Sequence, residues 1–331
     1  MSKLHLHIGS YKTGTTSIQK TFFVNKEALN EQGFVYPGNT QNDHLLYFAT
    51  KANQENWPRQ FKSLNGKRLQ EAIAKYFSSL ENGFTSNSKQ QLISTEYLFI
   101  HNSTYIENVI SFLSDYFQEI KVYLFIRSPE EYYRSFQQQK IKARSYLTPP
   151  DLFKYEFKKV AKAWNEVAEL EVIPYQSGIN SCEILCEEIG LNFEKLSTPD
   201  KNSNTSLSIG QMYLLEKIQH HFYQDYEDRF KNQLGIVSHI DDSFTHKPQI
   251  QDWVKIVVYN NHRGDLEWLK EEYGIDFLQD YPRTDELSDF TTFENGKASV
   301  RDIYKVPSEE TVEKYEAMVI DTLLKKLVQS N

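Results

Sequence analysis

Nine residues near the start of the chain, Gly9-Ser-Tyr-Lys-Thr-Gly-Thr-Thr-Ser17, hold chemistry suited to an anion. They follow an apolar-rich stretch, Leu4 to Gly9, and precede one in which Ile18, Phe22 and Leu29 recur at helical spacing. A strand–turn–helix of this kind presents free backbone N–H groups at a helix N-terminus, where the macrodipole also favours negative charge. Gly14 lets main chain approach a ligand closely. Thr13, Thr15, Thr16 and Ser17 add hydroxyls, and Lys12 adds a full positive charge. The nucleotide-triphosphate pattern G-x-x-x-x-G-K-[ST] places its lysine directly after the second glycine. Here Gly9 and Gly14 keep the glycine spacing, but Thr15 stands where that lysine would be.

Other groups with chemical potential fall at the ends of further strands. The run Lys121–Ile126 (KVYLFI) ends at Arg127, whose planar fork suits a phosphate. Ser135 lies about two turns into the helix that Pro129 opens. Ligands of parallel α/β sheets bind beyond the carboxyl ends of the strands, so Arg127 is either a ligand group or half of a structural ion pair. Glu96 ends the strand Gln91–Ser94 at the same expected edge and is the first candidate for a general base. His44, in the irregular stretch Asn-Asp-His-Leu-Leu, is the second. His7 sits inside the first strand and is expected to pack beneath the turn. The pair His220-His221 lacks third and fourth ligands, so no metal site is expected.

These side chains need a framework. Strand-like Leu4–Gly9, Gln91–Ser94, Lys121–Ile126 and Glu171–Tyr175 alternate with helical stretches over 15–32, 69–80, 108–117, 129–143, 151–168 and 182–189. The part of Gly38–Gly83 before Leu69 reads as a loop. Alternation of this kind predicts an α/β fold, with a central parallel sheet flanked by helices. From about Ser206 the chain reads as mainly helical. The expected organisation is therefore one domain over 1–331, with a nucleotide-binding core over 1–205 and a helical C-terminal extension over 206–331.

The bulk numbers narrow the function classes. The 331 residues carry a formal net charge of −8, which argues against a nucleic-acid partner. Local clusters of Lys and Arg can still make a positive cleft on an acidic protein. No run is long and apolar enough for a membrane span, and the start lacks a secretory leader, so a cytoplasmic protein is expected. The two cysteines, Cys182 and Cys186, lie one helical turn apart and are expected to be ordinary helix-packing or surface thiols.

Taken together, His7–Gln19 (HIGSYKTGTTSIQ) and Phe125–Ser135 (FIRSPEEYYRS) resemble the 5′-phosphosulfate loop and the 3′-phosphate element of the 3′-phosphoadenosine-5′-phosphosulfate-dependent sulfotransferase superfamily. The likeness continues through LEVIPY, the Cys182–Gly190 helix and DKNSNTSLS. It covers roughly residues 1–210, and is nearer the bacterial carbohydrate-type branch. It implies a P-loop NTPase-like fold, that nucleotide as co-substrate, no required metal, and a sugar or glycoconjugate as acceptor. It also implies cofactor contacts from Lys12, Thr13, Gly14, Thr15, Thr16, Ser17, Arg127 and Ser135, with Lys12, Glu96 and His44 in the chemistry. A lysine inside the turn suits a phosphosulfate, which is shorter than a triphosphate. The competing readings are a P-loop kinase or NTPase, which would want a lysine after Gly14, and a nucleotide- or glycan-binding protein without catalysis. Asn295 and Arg301, in the late stretch ENGKASVRDIY, receive no role beyond a contact with acceptor or nucleotide.

Overall fold

The structure, a computed structural model, describes residues 2–62, 66–84, 90–198, 206–222, 237, 247–279, 281, 293 and 296–329. Asn295, the stretch 200–205 and the expected boundary at 205/206 lie outside the described residues. The chain divides into two compact units. The first comprises 1–128, 156–201 and 271–275; the second comprises 129–155, 202–270 and 276–331.

The first unit is built on a five-stranded, all-parallel sheet. Its strands are β1 (Lys3–Gly9), β2 (Phe34–Val35), β3 (Gln90–Ser94), β4 (Glu119–Ile126) and β5 (Glu169–Pro174), in the order β2-β3-β1-β4-β5. The second half of β4, Val122–Ile126, is a continuous apolar run, as expected where both faces are covered. In β1, Leu4, Leu6 and Ile8 alternate with His5 and His7, and all five are buried. One face is packed by α1 (Thr15–Val24), α2 (Lys26–Glu31) and the helix Ser181–Ile189, through Ile18, Phe22, Leu29, Cys182, Leu185 and Cys186. The two thiols are core groups. Trp164, on the helix Phe157–Asn165, is fully buried and donates its indole N–H to the Leu98 carbonyl at 3.2 Å.

Two expected helices are cut short, and one strand is additional. The helix over 15–32 breaks at Asn25, whose side-chain amide donates to the carbonyls of Thr21 and Ser197 at 2.7 and 2.8 Å while its oxygen accepts the Ser197 N–H at 2.8 Å. Side-chain competition with the backbone ends α1 there. The helix over 151–168 is shorter, Phe157–Asn165. Before it, Pro150–Leu152 form a short 3-10 turn and 153–156 lie outside any helix. The two-residue β2 was missed because its identity comes from pairing, Phe34 with Gln90 and Val35 with Gln91.

The second unit holds the helices Pro129–Ile141, Ile209–Phe222, Asp252–Tyr273 up to Lys270, Val300–Ile303 and Glu309–Gln329. Antiparallel bridges join Leu147 to Ala298 and Ile250 to Tyr304. Among the described residues no helix is long and apolar enough to cross a membrane.

Candidate functional site

In this strand order the chain leaves β1 toward β2 and leaves β4 toward β5, in opposite directions. Such a divergence opens a crevice at the carboxyl ends of the two strands. The Gly9–Ser17 turn and Arg127 lie at its two lips.

The turn is closely held. Ser10 N–H donates to the Phe125 carbonyl at 3.0 Å, which carries the β1–β4 ladder one step past the strand. The Thr13 hydroxyl donates to the Ser10 carbonyl at 2.7 Å, so Thr13 is left with its backbone N–H to offer a ligand. Backbone φ is +69° at Lys12 and +82° at Gly14, with Thr13 between them on the ordinary side. Alternation of this kind turns successive N–H groups inward to make an anion-binding nest. Glycine is required at 14 for a second reason. A Cβ there would lie 2.2 Å from Ser181 Oγ and 2.8 Å from Ser181 Cβ. That serine needs the close approach, because its hydroxyl donates to the Thr13 carbonyl at 2.9 Å.

Gly14 caps α1 without any side-chain hydrogen bond. The Thr15 hydroxyl, in the first turn, is buried and has no hydrogen-bond partner among the described residues. Buried hydroxyls are nearly always satisfied, so this one marks a place where a ligand oxygen would complete the network. Thr16 and Ser17 are exposed beside it. Beneath the turn, as expected, His7 is buried, with Nδ1 2.8 Å from Ser94 Oγ and its ring edge-on to Phe125. Burial drives its imidazole down to a pKa of about 3, so it is neutral at physiological pH.

Arg127 is 8% exposed and follows the last residue of β4. Nη1 donates to the Lys12 carbonyl at 3.1 Å and Nη2 to Ser177 Oγ at 3.0 Å, while the guanidinium lies 4.8 Å from the centre of the Tyr175 ring. It therefore braces the turn, a role the sequence did not announce. Ser135 is half-buried on the helix Pro129–Ile141, in the second unit.

At the end of β3 the two base candidates form one pair. His44 Nε2 lies 3.4 Å from Glu96 Oε1, and both side chains are mostly buried. The imidazole stacks on Tyr97, with ring centres 4.3 Å apart and planes 16° from parallel. Burial lowers the His44 pKa, and the Glu96 charge pulls it partly back. Glu96 Oε2 accepts from Gln19 Nε2 at 3.1 Å, and the same amide donates to the Ser94 carbonyl at 3.1 Å. Gln19 is on α1, so one side chain ties the helix behind the turn to the carboxylate. Tyr11, inside the turn, lies edge-on to Tyr97 with ring centres 6.5 Å apart. Its phenol is pushed up to about 12, first by burial and then by the Glu96 charge, although about half of the residue surface stays open.

Asp43 is the functional residue that sequence reasoning passed over. It is fully buried next to His44. Its N–H donates to the Ser94 carbonyl at 3.2 Å, its carboxylate accepts the Ser94 N–H at 3.1 Å, and its other oxygen accepts the Tyr76 hydroxyl at 3.0 Å. This reciprocal bond locks an irregular segment onto the end of β3 and so fixes where His44 arrives. Burial raises the Asp43 pKa to about 6. The adjacency Asp43-His44 was the available signal.

Among the described residues, no group of three or more His, Cys, Asp or Glu side chains could hold a metal ion. No protein-family model matches the chain, and no curated protein matches it in sequence.

Proposed function

We propose that this protein is a sulfotransferase that moves a sulfuryl group from 3′-phosphoadenosine-5′-phosphosulfate to a hydroxyl of a carbohydrate or glycoconjugate, on a P-loop NTPase-like nucleotide fold. One observation carries the reading. A helix N-terminus with no side-chain cap and an unsatisfied Thr15 hydroxyl share a sheet edge with a buried carboxylate–imidazole pair. The first arrangement suits an anionic oxygen; the second suits removal of a proton.

The nucleotide supplies the activated sulfuryl group. In this reading the N–H groups of the Lys12–Thr16 turn and the Thr15 hydroxyl bind its anionic end, and the Lys12 ammonium holds the charge that develops on the leaving oxygen. Losing one preorganised donor of that kind typically costs ~10²–10³ in rate. Arg127 keeps the turn in shape through the Lys12 carbonyl. Arg127 is the candidate for the 3′-phosphate. Glu96 takes the acceptor proton and becomes neutral, with His44 stacked on Tyr97 and 3.4 Å from its carboxyl.

The test is binding followed by turnover. Adenosine 3′,5′-bisphosphate should raise the melting temperature without metal, and Arg127→Ala should abolish the shift. Labelled donor is then offered with a panel of sugars, glycolipids and small alcohols. A shift produced only by ATP with magnesium would replace this reading with that of a kinase or NTPase.

A further inference from the structure

Tyr11 is the one aromatic residue of the Gly9–Ser17 turn. It is 49% exposed, while Glu96, His44 and Tyr97 are all more deeply set. The four belong to the first unit. Tyr11 ends an aromatic wall. Its ring lies edge-on to Tyr97, with centres 6.5 Å apart. Tyr97 carries the stacked His44 imidazole at 4.3 Å and meets Phe61 edge-on at 5.5 Å. Phe61 is buried with Tyr47 and Leu69, so the wall stands on a packed base.

An exposed tyrosine needs no explanation by itself. The Tyr11 hydroxyl is the informative end, because it makes no hydrogen bond with any described residue. The Glu96 charge nevertheless acts on it. Burial and that charge hold the phenol at a pKa of about 12, so it keeps its proton and can donate. The Glu96 oxygens are placed by other groups, Oε2 by Gln19 Nε2 at 3.1 Å and Oε1 with His44 Nε2 at 3.4 Å. A carboxylate and a phenol that sense each other without bonding suit a third group that donates to the first and accepts from the second. An alcohol does both through one oxygen.

We propose that Tyr11 is an acceptor-binding residue: its hydroxyl donates to the oxygen that is to be sulfated, and its open ring packs against the C–H face of the pyranose that carries that oxygen. This rests on the sulfotransferase reading and narrows its acceptor to a pyranoside presented by its apolar face. The acceptor O–H gives its proton to Glu96 as its oxygen bonds to sulfur, and the bond from sulfur to the nucleotide phosphate oxygen breaks. The Tyr11 O–H stays whole throughout. Aromatic rings combine a large apolar face with this polar handle, which is what a sugar hydroxyl on a C–H face requires.

The experiment compares the full chain with Tyr11→Phe and Tyr11→Ala in two measurements. Calorimetry gives the Kd of adenosine 3′,5′-bisphosphate, and initial rates at saturating labelled donor give kcat/KM for a series of methyl pyranosides and for glycerol, which has hydroxyls but no ring face. Both variants should bind the bisphosphate as the parent does. Tyr11→Phe should lower kcat/KM for the pyranosides about three- to tenfold, the worth of one neutral hydrogen bond. Tyr11→Ala should lower it about three- to tenfold further, and only for the pyranosides. The proposal is overturned if Tyr11→Phe matches the parent, or if Tyr11→Ala loses no more than Tyr11→Phe. It is overturned also if the parent binds the bisphosphate but prefers glycerol or transfers to no pyranoside. Bisphosphate binding that weakens as much as kcat/KM would assign Tyr11 to the turn instead of the acceptor. A parent that does not bind the bisphosphate at all is a different result, since it removes the sulfotransferase reading and the proposal with it.

Discussion

Asp43→Asn offers the most direct check on the electrostatics behind the candidate base. The Asp43 carboxyl is wholly buried, and its pKa rises from 3.8 unfolded to about 6 folded. Desolvation is the main cause; the N–H of Ser94 and the hydroxyl of Tyr76 pull the other way without overcoming it. Between those pH values the folded state keeps a proton that the unfolded chain releases. Folding stability should therefore fall as pH rises through that window, by about 3 kcal/mol in all, since each tenfold change in proton affinity is worth about 1.4 kcal/mol. His7 acts with the opposite sign. Its pKa falls from 6.5 to about 3, so it contributes stability that is present above 6.5 and lost as pH drops. In the parent protein the two slopes oppose each other across pH 4–6. Asn at position 43 can still accept from Ser94 N–H and reach the Tyr76 hydroxyl, but it does not titrate. Urea unfolding of parent and variant across pH 4–7 should show the variant gaining about 3 kcal/mol relative to the parent as pH rises, with a slope of ~1.4 kcal/mol per pH unit between 4 and 6. Two curves that stay parallel would mean that the Asp43 carboxyl is not titrating where its burial places it.

Other substitutions probe the remaining parts of the site. Thr15→Val removes a buried hydroxyl with no partner, so stability should hold or rise by about 1 kcal/mol while adenosine 3′,5′-bisphosphate binding weakens by roughly five- to tenfold; unchanged binding in a titration would remove Thr15 from the anion site. Gly14→Ala forces a Cβ into Ser181 at positive φ and should cost about 2–4 kcal/mol in urea unfolding. Ser181→Gly should recover only the steric share, so full recovery would argue that the backbone angle is unimportant. Glu96→Gln should keep bisphosphate binding and lose ~10²–10⁴ in turnover, the usual worth of a positioned base. Full activity in that variant would pass the role to His44. Apart from the site, Glu216 in the second unit accepts the Val300 N–H at 2.8 Å and burial raises its carboxyl to about 8, so urea unfolding of Glu216→Gln should show it gaining stability on the parent between pH 5 and 8.

Much of the framework was legible because its signals are local. KVYLFI is β4, and the Gly/Thr-rich turn does join β1 to α1. Cys182 and Cys186, for which packing and surface positions were both open, are core groups on one helix. What stayed hidden depends on partners remote in sequence. Asn25 breaks a helix because Ser197 meets its side chain. Phe34 and Val35 are a strand only because Gln90 and Gln91 pair with them. The helix from Pro129 looks like a simple continuation of β4, yet its tertiary contacts place it in the second unit. Arg127 was expected either to hold a ligand or to form an ion pair, and it spends two of its donors on the Lys12 carbonyl and the Ser177 hydroxyl.

The candidate base shows why such partners matter for chemistry. From the sequence, Glu96 and His44 are rivals, one at a strand end and the other in an irregular stretch. Propensity says nothing about where an irregular stretch will lie. Here Asp43 N–H donates to the Ser94 carbonyl while the Asp43 carboxylate accepts the Ser94 N–H, and this fixes the residue that follows. His44 is thereby carried to 3.4 Å from Glu96, while Gln19 reaches the other carboxylate oxygen from the helix behind the turn. Groups coupled this closely do not act additively. The Glu96 charge raises the His44 pKa against the lowering by burial, so a substitution at Glu96 changes the surroundings of His44. Asp43 is what holds His44 at that carboxylate, so a change at position 43 reaches the Glu96–His44 pair without touching either member.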